Sequence, residues 1–342
     1  MGTFKRASPR PVATLAEACA VVGIKEPRKT SGRFVRTPTE NARAGDGSGC
    51  ISFFADGAGG IAFNWRTGES QMFVYGYDGH RLSRAELAEQ KRKAAEMAAY
   101  VAAMFREQYL RGAELAGRII SECRQADPDH PYLKRKGIET CAAELLEISR
   151  TTAQAIINSM TPVVAGEPTQ GLGMLTERLL VVPLHATPSD LMSVEFIDEA
   201  GTKRLLKGAQ SGGCFFLPRR TMSSYPTGPW GIAEGVATAW SVFMMERVPC
   251  LAAISAGNLP KVALAASRLF PHARFALFAD EDASGVGQRY AERARLEIPL
   301  GRQAGLFLPG FTADEVNLFA ERNGGTRPSD FNDAMQLRRW GQ

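Results

Sequence analysis

Trp230-Gly231-Ile232-Ala233-Glu234-Gly235-Val236-Ala237-Thr238-Ala239 and, further along, Arg274-Phe275-Ala276-Leu277-Phe278-Ala279-Asp280-Glu281-Asp282-Ala283-Ser284-Gly285-Val286-Gly287 decide the reading of this chain. Each begins as a short apolar run, long enough for a strand and too short for a buried helix. Each run ends on an acid, with a glycine next (Gly235) or a few residues on (Gly285), and then residues with helical spacing. Between and after them the pattern repeats. Strands are expected near 230–233, 249–255, 274–279 and 304–308, and helices near 236–247, 259–270 and 286–297. Strand and helix alternating at this spacing mean βαβ units, hence an α/β fold with a Rossmann-like parallel sheet covered by helices on both faces.

In such a sheet, ligands bind just past the carboxyl ends of strands. Glu234 follows the first run, and Asp280 and Asp282 follow the second. If those two strands are neighbours, the three carboxylates come together. A carboxylate cluster is unfavourable without a cation, and hard oxygen ligands with room for water and phosphate suit Mg²⁺ or Mn²⁺. Two such ions about 4 Å apart could serve in-line phosphoryl transfer. Gly235 lets the chain turn sharply beside Glu234, and Gly285 and Gly287 open the next helix, where backbone N–H groups could face a phosphate.

Working outward, residues 178–217 read as a meander of strands, with Leu179–Leu184, Leu191–Ile197, Lys203–Leu206 and Gly213–Leu217 as its runs. Before it come short helices at 130–136, about 141–148 and 151–159. Ser83-Arg84-Ala85-Glu86 is a capping box that opens a long helical stretch to about residue 126, with Gly112 and Gly117 as candidate bends. Short aromatic and glycine-rich runs at 49–54, 60–65 and 71–75 suggest a small antiparallel sheet. The expected organisation is therefore a basic, β-rich N-terminal domain (1–80), a helical connector (81–128), an α+β subdomain (129–227), the parallel-sheet domain (228–312) and a C-terminal segment (313–342).

The net charge of +5 permits an acidic partner without demanding one. Its distribution is more informative. Residues 1–36 hold eight basic side chains against Glu17 and Glu26, and residues 201–220 hold Lys203, Arg204, Lys207, Arg219 and Arg220 with no acid. Patches of this kind suit a phosphate backbone. The six cysteines form no C-x-x-C pair and the four histidines lack zinc-finger spacing, so no zinc site is expected. Scattered cysteines without a secretory signal suggest a reducing cytoplasm. No apolar run approaches the length of a membrane span.

The segments Glu234–Ala239, Ala256-Gly257-Asn258-Leu259 and Ala279–Gly287 resemble the signature of Toprim domains, which topoisomerases, DnaG-type primases and some nucleases share. Within that group they are most similar to the primases of conjugative plasmids (TraC-like) and satellite phages (α-type). His130–Ile138, Arg178–Leu184, Phe196–Gly208 and the D-F-N-D element Ser329-Asp330-Phe331-Asn332-Asp333 resemble other parts of the same proteins. So does Gly60–Gly68 in the N-terminal part.

The resemblance implies a DNA primase, a nucleotidyltransferase that makes short RNA primers on single-stranded DNA from ribonucleoside triphosphates. It implies two Mg²⁺ or Mn²⁺ ions on Glu234, Asp280 and Asp282, with Asp330 and Asp333 completing the site. Arg178, Lys203, Arg204 and Lys207, with Gly235, Asn258 and Gly285, would bind the nucleotide or the template. The zinc-ribbon template reader of DnaG-type primases is missing, so residues 1–80 would meet template by another route. Most of their aromatics fit a small core, leaving Trp65 and Arg66, beside a glycine turn, as the surface candidates. No G-x-x-x-x-G-K-[ST] loop occurs, so unwinding is expected from a separate replicative helicase. The same acids leave two alternatives open: a Toprim-type metal-dependent nuclease, and a non-catalytic single-strand-binding accessory.

Overall fold

The computed structural model describes residues 5–6, 10–28, 32–40, 42, 47–65, 67–80, 82–160, 171–223 and 229–341. They fall into two compact units, 1–107 and 108–342.

The first unit is a five-stranded sheet with helices packed on it. Its strands are β1 (Lys5–Arg6), β2 (Phe34–Thr37), β3 (Gly49–Phe53), β4 (Gly59–Asn64) and β5 (Glu69–Val74), in the order β1-β5-β4-β3-β2. β2 to β5 form an antiparallel meander, and β1 lies parallel to β5. Helix α1 (Leu15–Val22) carries a capping box between Thr14 and Glu17. Its Leu15, Ala18, Cys19 and Val22 pack on Ile51, Ala62 and Phe73. Met72, one position along β5, points to the other face and meets Phe54 and Met97; the period of two in a strand decides this division. β2 was not among the strand runs expected from the sequence, which began at residue 49.

Met97 belongs to α2 (Arg84–Ser121), whose capping box is in place: Ser83 N–H donates to Glu86 and Glu86 N–H donates to Ser83 Oγ. The helix runs unbroken through Gly112 and Gly117. Gly112 serves close approach instead: a Cβ there would lie 2.5 Å from Ala209 Cα.

The second unit holds two sheets. The first combines β6 (Arg124–Gln125), β7 (Leu146–Ser149), β8 (Arg178–His185), β9 (Leu191–Asp198) and β10 (Lys203–Leu205), all antiparallel, in the order β10-β9-β8-β7-β6. Helix α3 (Pro131–Lys136) ends at Gly137. The helix expected over 141–148 is instead a 3₁₀ turn (Glu139–Glu144) followed by β7, because Leu146-Glu147-Ile148 pairs with β8. Helix α4 (Arg150–Met160) follows. Leu179, Val181, Val194 and Phe196 face α2 and α4, while Leu180, Val182, Leu184 and Ile197 face the opposite side. The run 213–217 makes isolated bridges rather than a strand: Phe215 pairs with His185 and Phe216 with Ala252, which couples this sheet to the next. Helix α5 (Arg219–Ser223) comes after it.

The last sheet is fully parallel. It contains β11 (Pro229–Ala233), β12 (Cys250–Ala252), β13 (Arg274–Phe278) and β14 (Gln303–Phe307), ordered β12-β11-β13-β14. Its helices are α6 (Val236–Glu246), α7 (Leu259–Leu269), α8 (Val286–Leu296), α9 (Ala313–Arg322) and α10 (Phe331–Trp340). Alternate strand residues separate the faces. Ala233, Cys250, Ala252, Ala276 and Phe278 pack under α6 and α10. Trp230, Ile232, Leu251, Phe275 and Leu277 pack under α7 and α8. The chain leaves β11 toward β12 through α6, then returns past β11 to β13 through α7. A right-handed crossover forces the two helices onto opposite faces. The strand order therefore reverses between β11 and β13, and a crevice opens at their carboxyl ends. No helix of the described residues is long and apolar enough to cross a membrane.

Candidate active site

β11 and β13 are hydrogen-bonded neighbours, with Ala233 level with Phe278. Glu234 and Asp280 therefore leave the sheet side by side at the reversal point. Gly235 is the N-cap of α6, extended at φ −105°, and Glu234 is half-buried beside it. Burial raises the Glu234 carboxyl above its ordinary range. Asp282 and Asp330 push the same way, while the Ala256 N–H and Lys203 oppose them. Asp280 is more strongly affected. Burial first, then Asp330 and Glu234, push it up to about 8. Its Oδ1 is buried and has no hydrogen-bond partner. An anion in that position costs about 1–3 kcal/mol for the missing bond alone.

Asp282 behaves differently. It is half-buried and accepts from the Ser284 hydroxyl and from Ser284 N–H at 2.7 Å, which holds it below its ordinary value. Gly285, at φ +62°, sits in the left-handed region that lets this tight loop enter α8. Asp330 is the N-cap of α10, its Oδ1 accepting from Asp333 N–H at 2.9 Å. Asp333 closes the box by accepting from Asp330 N–H at 3.4 Å, also accepts from Ser329 N–H at 2.9 Å, and lies 4.0 Å from Lys136 Nζ. Burial and Asp330 raise its carboxyl. Glu281 N–H donates to Ser329 O at 2.6 Å, tying the two acid-bearing loops together.

Lys203 is the cation of the cleft. It stands on β10, and a Cβ on Gly235 would lie 3.6 Å from its Nζ. Arg204, the next residue, pairs with Phe196, whose ring packs toward α2 and α4. The pleat thus sends Arg204 to the other face of the sheet. Lys207 is exposed beyond the end of β10. Arg178 is committed elsewhere: its Nε donates to Glu147 at 2.9 Å, and its Nη2 lies 3.5 Å from Asp127. Asn258 is a brace. Its amide donates to the Ala253, Cys214 and Ser211 carbonyls, and its oxygen accepts from Gly213 N–H. Trp65 lies in the first unit, and Arg66 lies outside the described residues.

The acids share one electrostatic field, but among the described residues no group of three or more is arranged to hold an ion. Asp282 and Asp330 are turned to backbone N–H groups. The donors nonetheless fit a hard divalent cation: they are all carboxylate oxygens, and one is buried without a partner.

Two charged neighbours of the cleft, one acidic and one basic, gave no signal in the sequence. Glu195 is buried in β9, on the Ile197 face that points away from α2. Burial pushes it up to about 7 against the pull of Lys203. Asp333's neighbour Lys136 was hidden in a helix-end basic run. A lone Glu between Val194 and Phe196 was the available clue.

Residues 230–339 match the family model "Toprim domain". The chain carries a Toprim domain. It is also 28% identical over 268 residues to a DNA primase TraC of Escherichia coli, covering 77% of this chain and 22% of that protein. A second TraC of the same organism is 27% identical over 256 residues, covering 73% and 15%. The chain thus spans about a fifth, or less, of the length of these relatives. Among solved structures, the zinc-binding and RNA polymerase domains of the Aquifex aeolicus primase align with a TM-score of 0.43 at 14% identity, over 91% of this chain and 79% of that one. The primase fragment of the bacteriophage T7 primase-helicase gives 0.38 at 16%, over 89% and 98%.

Proposed function

We propose that this chain is a DNA primase, building short RNA primers on single-stranded DNA from ribonucleoside triphosphates. The observation that carries the reading is the buried, unpartnered Asp280 oxygen at the reversal point of a Toprim sheet, with Lys203 facing it from the preceding sheet. Such an arrangement is unfavourable for folding and favourable for a charged ligand. The similarity to TraC primases supports the same activity.

Glu234, Asp280, Asp282 and Asp330 would hold Mg²⁺ or Mn²⁺. Bound there, divalent cations stabilise charge on the transferring phosphate and make the attacking hydroxyl more acidic. Glu234 alternatively moves a proton during transfer. Asp333 fixes Asp330 and the loop that carries it. Lys203 takes phosphate oxygens of the incoming nucleotide, where its charge is opposed by the acids. Arg204 and Lys207 serve the template backbone. Gly235 and Gly285 keep the two helix entrances clear for phosphate. Arg178 and Asn258 act at one remove, by holding the sheet and the Gly213 loop in place. A separate helicase would open the duplex.

The test is incorporation of labelled ribonucleotides on circular single-stranded DNA with Mg²⁺ or Mn²⁺. Short labelled products are expected, falling at least about 10²-fold in Asp280→Asn. Undiminished synthesis by the double variant Asp280→Ala/Asp282→Ala would refute the assignment. Cleavage of end-labelled DNA with no synthesis would move the chain to the nuclease reading.

A further inference from the structure

The aromatic side chains of residues 1–107 divide sharply. Phe54, Phe63 and Phe73 are core, whereas Trp65 is 42% exposed. Trp65 is also held firmly. Its ring stands edge-to-face with Phe63 at 4.5 Å and with Phe105 at 6.0 Å, and it hydrogen-bonds to the buried Cys50 thiol. Phe34 and Phe105 meet edge-to-face at 5.6 Å. Arg36 lies over all three rings, 5.5 Å from Phe34 and 5.7 Å from both Trp65 and Phe105. Its Nη1 donates to Gly47 O at 2.9 Å. Rings and a carbonyl orient this guanidinium, and among the described residues no carboxylate forms an ion pair with it. A second cation, Arg33, sits 4.2 Å from the Tyr100 ring.

A core needs rings but no fixed positive charge among them. An exposed indole locked at its edges, with a guanidinium beside it, suits a ligand that offers flat π-faces and anionic oxygens at short repeat. Unpaired nucleotides offer both. The charge of this part of the chain agrees, with eight basic residues against two acids over 1–36. We propose that Trp65, Phe34, Phe105 and Arg36 form a binding site for single-stranded nucleic acid, in which a base stacks on Trp65 and Arg36 takes an adjoining phosphate. This site uses none of the acidic residues and does not rest on the primase reading.

The full chain is titrated into labelled oligothymidylate of about 20 nucleotides, longer than the ~4–16 that one small module covers, with EDTA throughout. Trp65→Ala is expected to weaken binding by about 5- to 150-fold, and Trp65→Phe to restore most of it. Arg36→Gln should lower the salt slope by about 0.7. Tryptophan emission should be quenched by the oligonucleotide in the parent chain and not in Trp65→Phe, a reading available even if the alanine variant folds poorly. Affinity within twofold of the parent in a natively folded Trp65→Ala, or quenching that persists in Trp65→Phe, overturns the proposal. Primer synthesis that fails while EDTA-resistant binding depends on Trp65 would refute only the primase reading; the converse would refute only this site.

Discussion

Replacing Glu195 by Gln should stabilise the protein, and only above a definite pH. Glu195 lies in β9, buried, opposite Leu205 of β10 and Val182 of β8. Its carboxyl is pushed from the ordinary 4.5 to about 7, by burial and against the attraction of Lys203. Each factor of ten in proton affinity is about 1.4 kcal/mol, so the ionised form carries a penalty of about 3 kcal/mol. The folded chain holds this proton more tightly than the unfolded chain. Between pH ~4.5 and ~7 the folded state therefore binds more protons, and stability falls as pH rises. Below that window the penalty is absent, and above it the penalty is complete. Gln removes the charge but leaves a buried amide, which takes back about 1 kcal/mol. A net gain of about 2 kcal/mol remains at pH 8.5, or about 4–8 °C in Tm for a unit of this size. Melting curves of both proteins by circular dichroism, in EDTA at pH 5 and pH 8.5, decide the matter. The gap should open at pH 8.5 and close or reverse at pH 5. A gap independent of pH, or a variant less stable at pH 8.5, would refute the reasoning.

Three further outcomes are expected. Gly112→Ala should cost about 1–3 kcal/mol because its Cβ would meet Ala209 at 2.5 Å. Gly117→Ala, with nothing within 4 Å, should gain about 0.5–1 kcal/mol; urea midpoints that move together would contradict the packing. Asn258→Ala should cost about 3 kcal/mol, since it strands the Ala253 and Cys214 carbonyls, and should speed hydrogen exchange at Gly213. Arg178→Met should cost about 1.5–3 kcal/mol by removing one of the two arginines on Glu147, which is only 3% exposed and keeps Arg124 at 3.1 Å, while primer synthesis per folded molecule changes little. A loss of kcat without a loss of stability would put Arg178 back in the cleft.

These contrasts show what a single sequence can carry. The parallel sheet was legible because its strands are apolar on both faces and two of them, β11 and β13, run into the acids Glu234 and Asp280 with a glycine at or soon after the turn. The positions of Glu234 and Asp280 follow from that alone once β11 and β13 are neighbours. Strand β7 was not legible: Leu146-Glu147-Ile148 has no intrinsic period, and only its pairing with β8 makes it extended. The basic run Lys203-Arg204 looked like one patch, yet pairing to β9 splits it between two faces. Arg178 and Asn258 are residue types that bind phosphate and nucleotide readily. Their partners here, Glu147 and three backbone carbonyls, lie 31 residues away for one and 5 to 47 residues away for the other. No local pattern could reveal those.

The acids around the cleft can be sorted by what each would lose without a ligand. Asp282, Asp330 and Asp333 already accept backbone N–H groups, so a loop and a helix cap explain their presence. Asp280 has no such explanation: its carboxyl is raised, and its buried Oδ1 has no partner among the described residues. Glu195 is disfavoured to a lesser degree and lies on the sheet that carries Lys203. A fold that tolerates two destabilised carboxylates on either side of one lysine is locally inconsistent with stability. Such inconsistency concentrates where a charged ligand restores the balance. Asp280→Asn and Glu195→Gln should accordingly diverge: both relieve the folded chain of a buried charge, but only the first removes the oxygen on which synthesis depends.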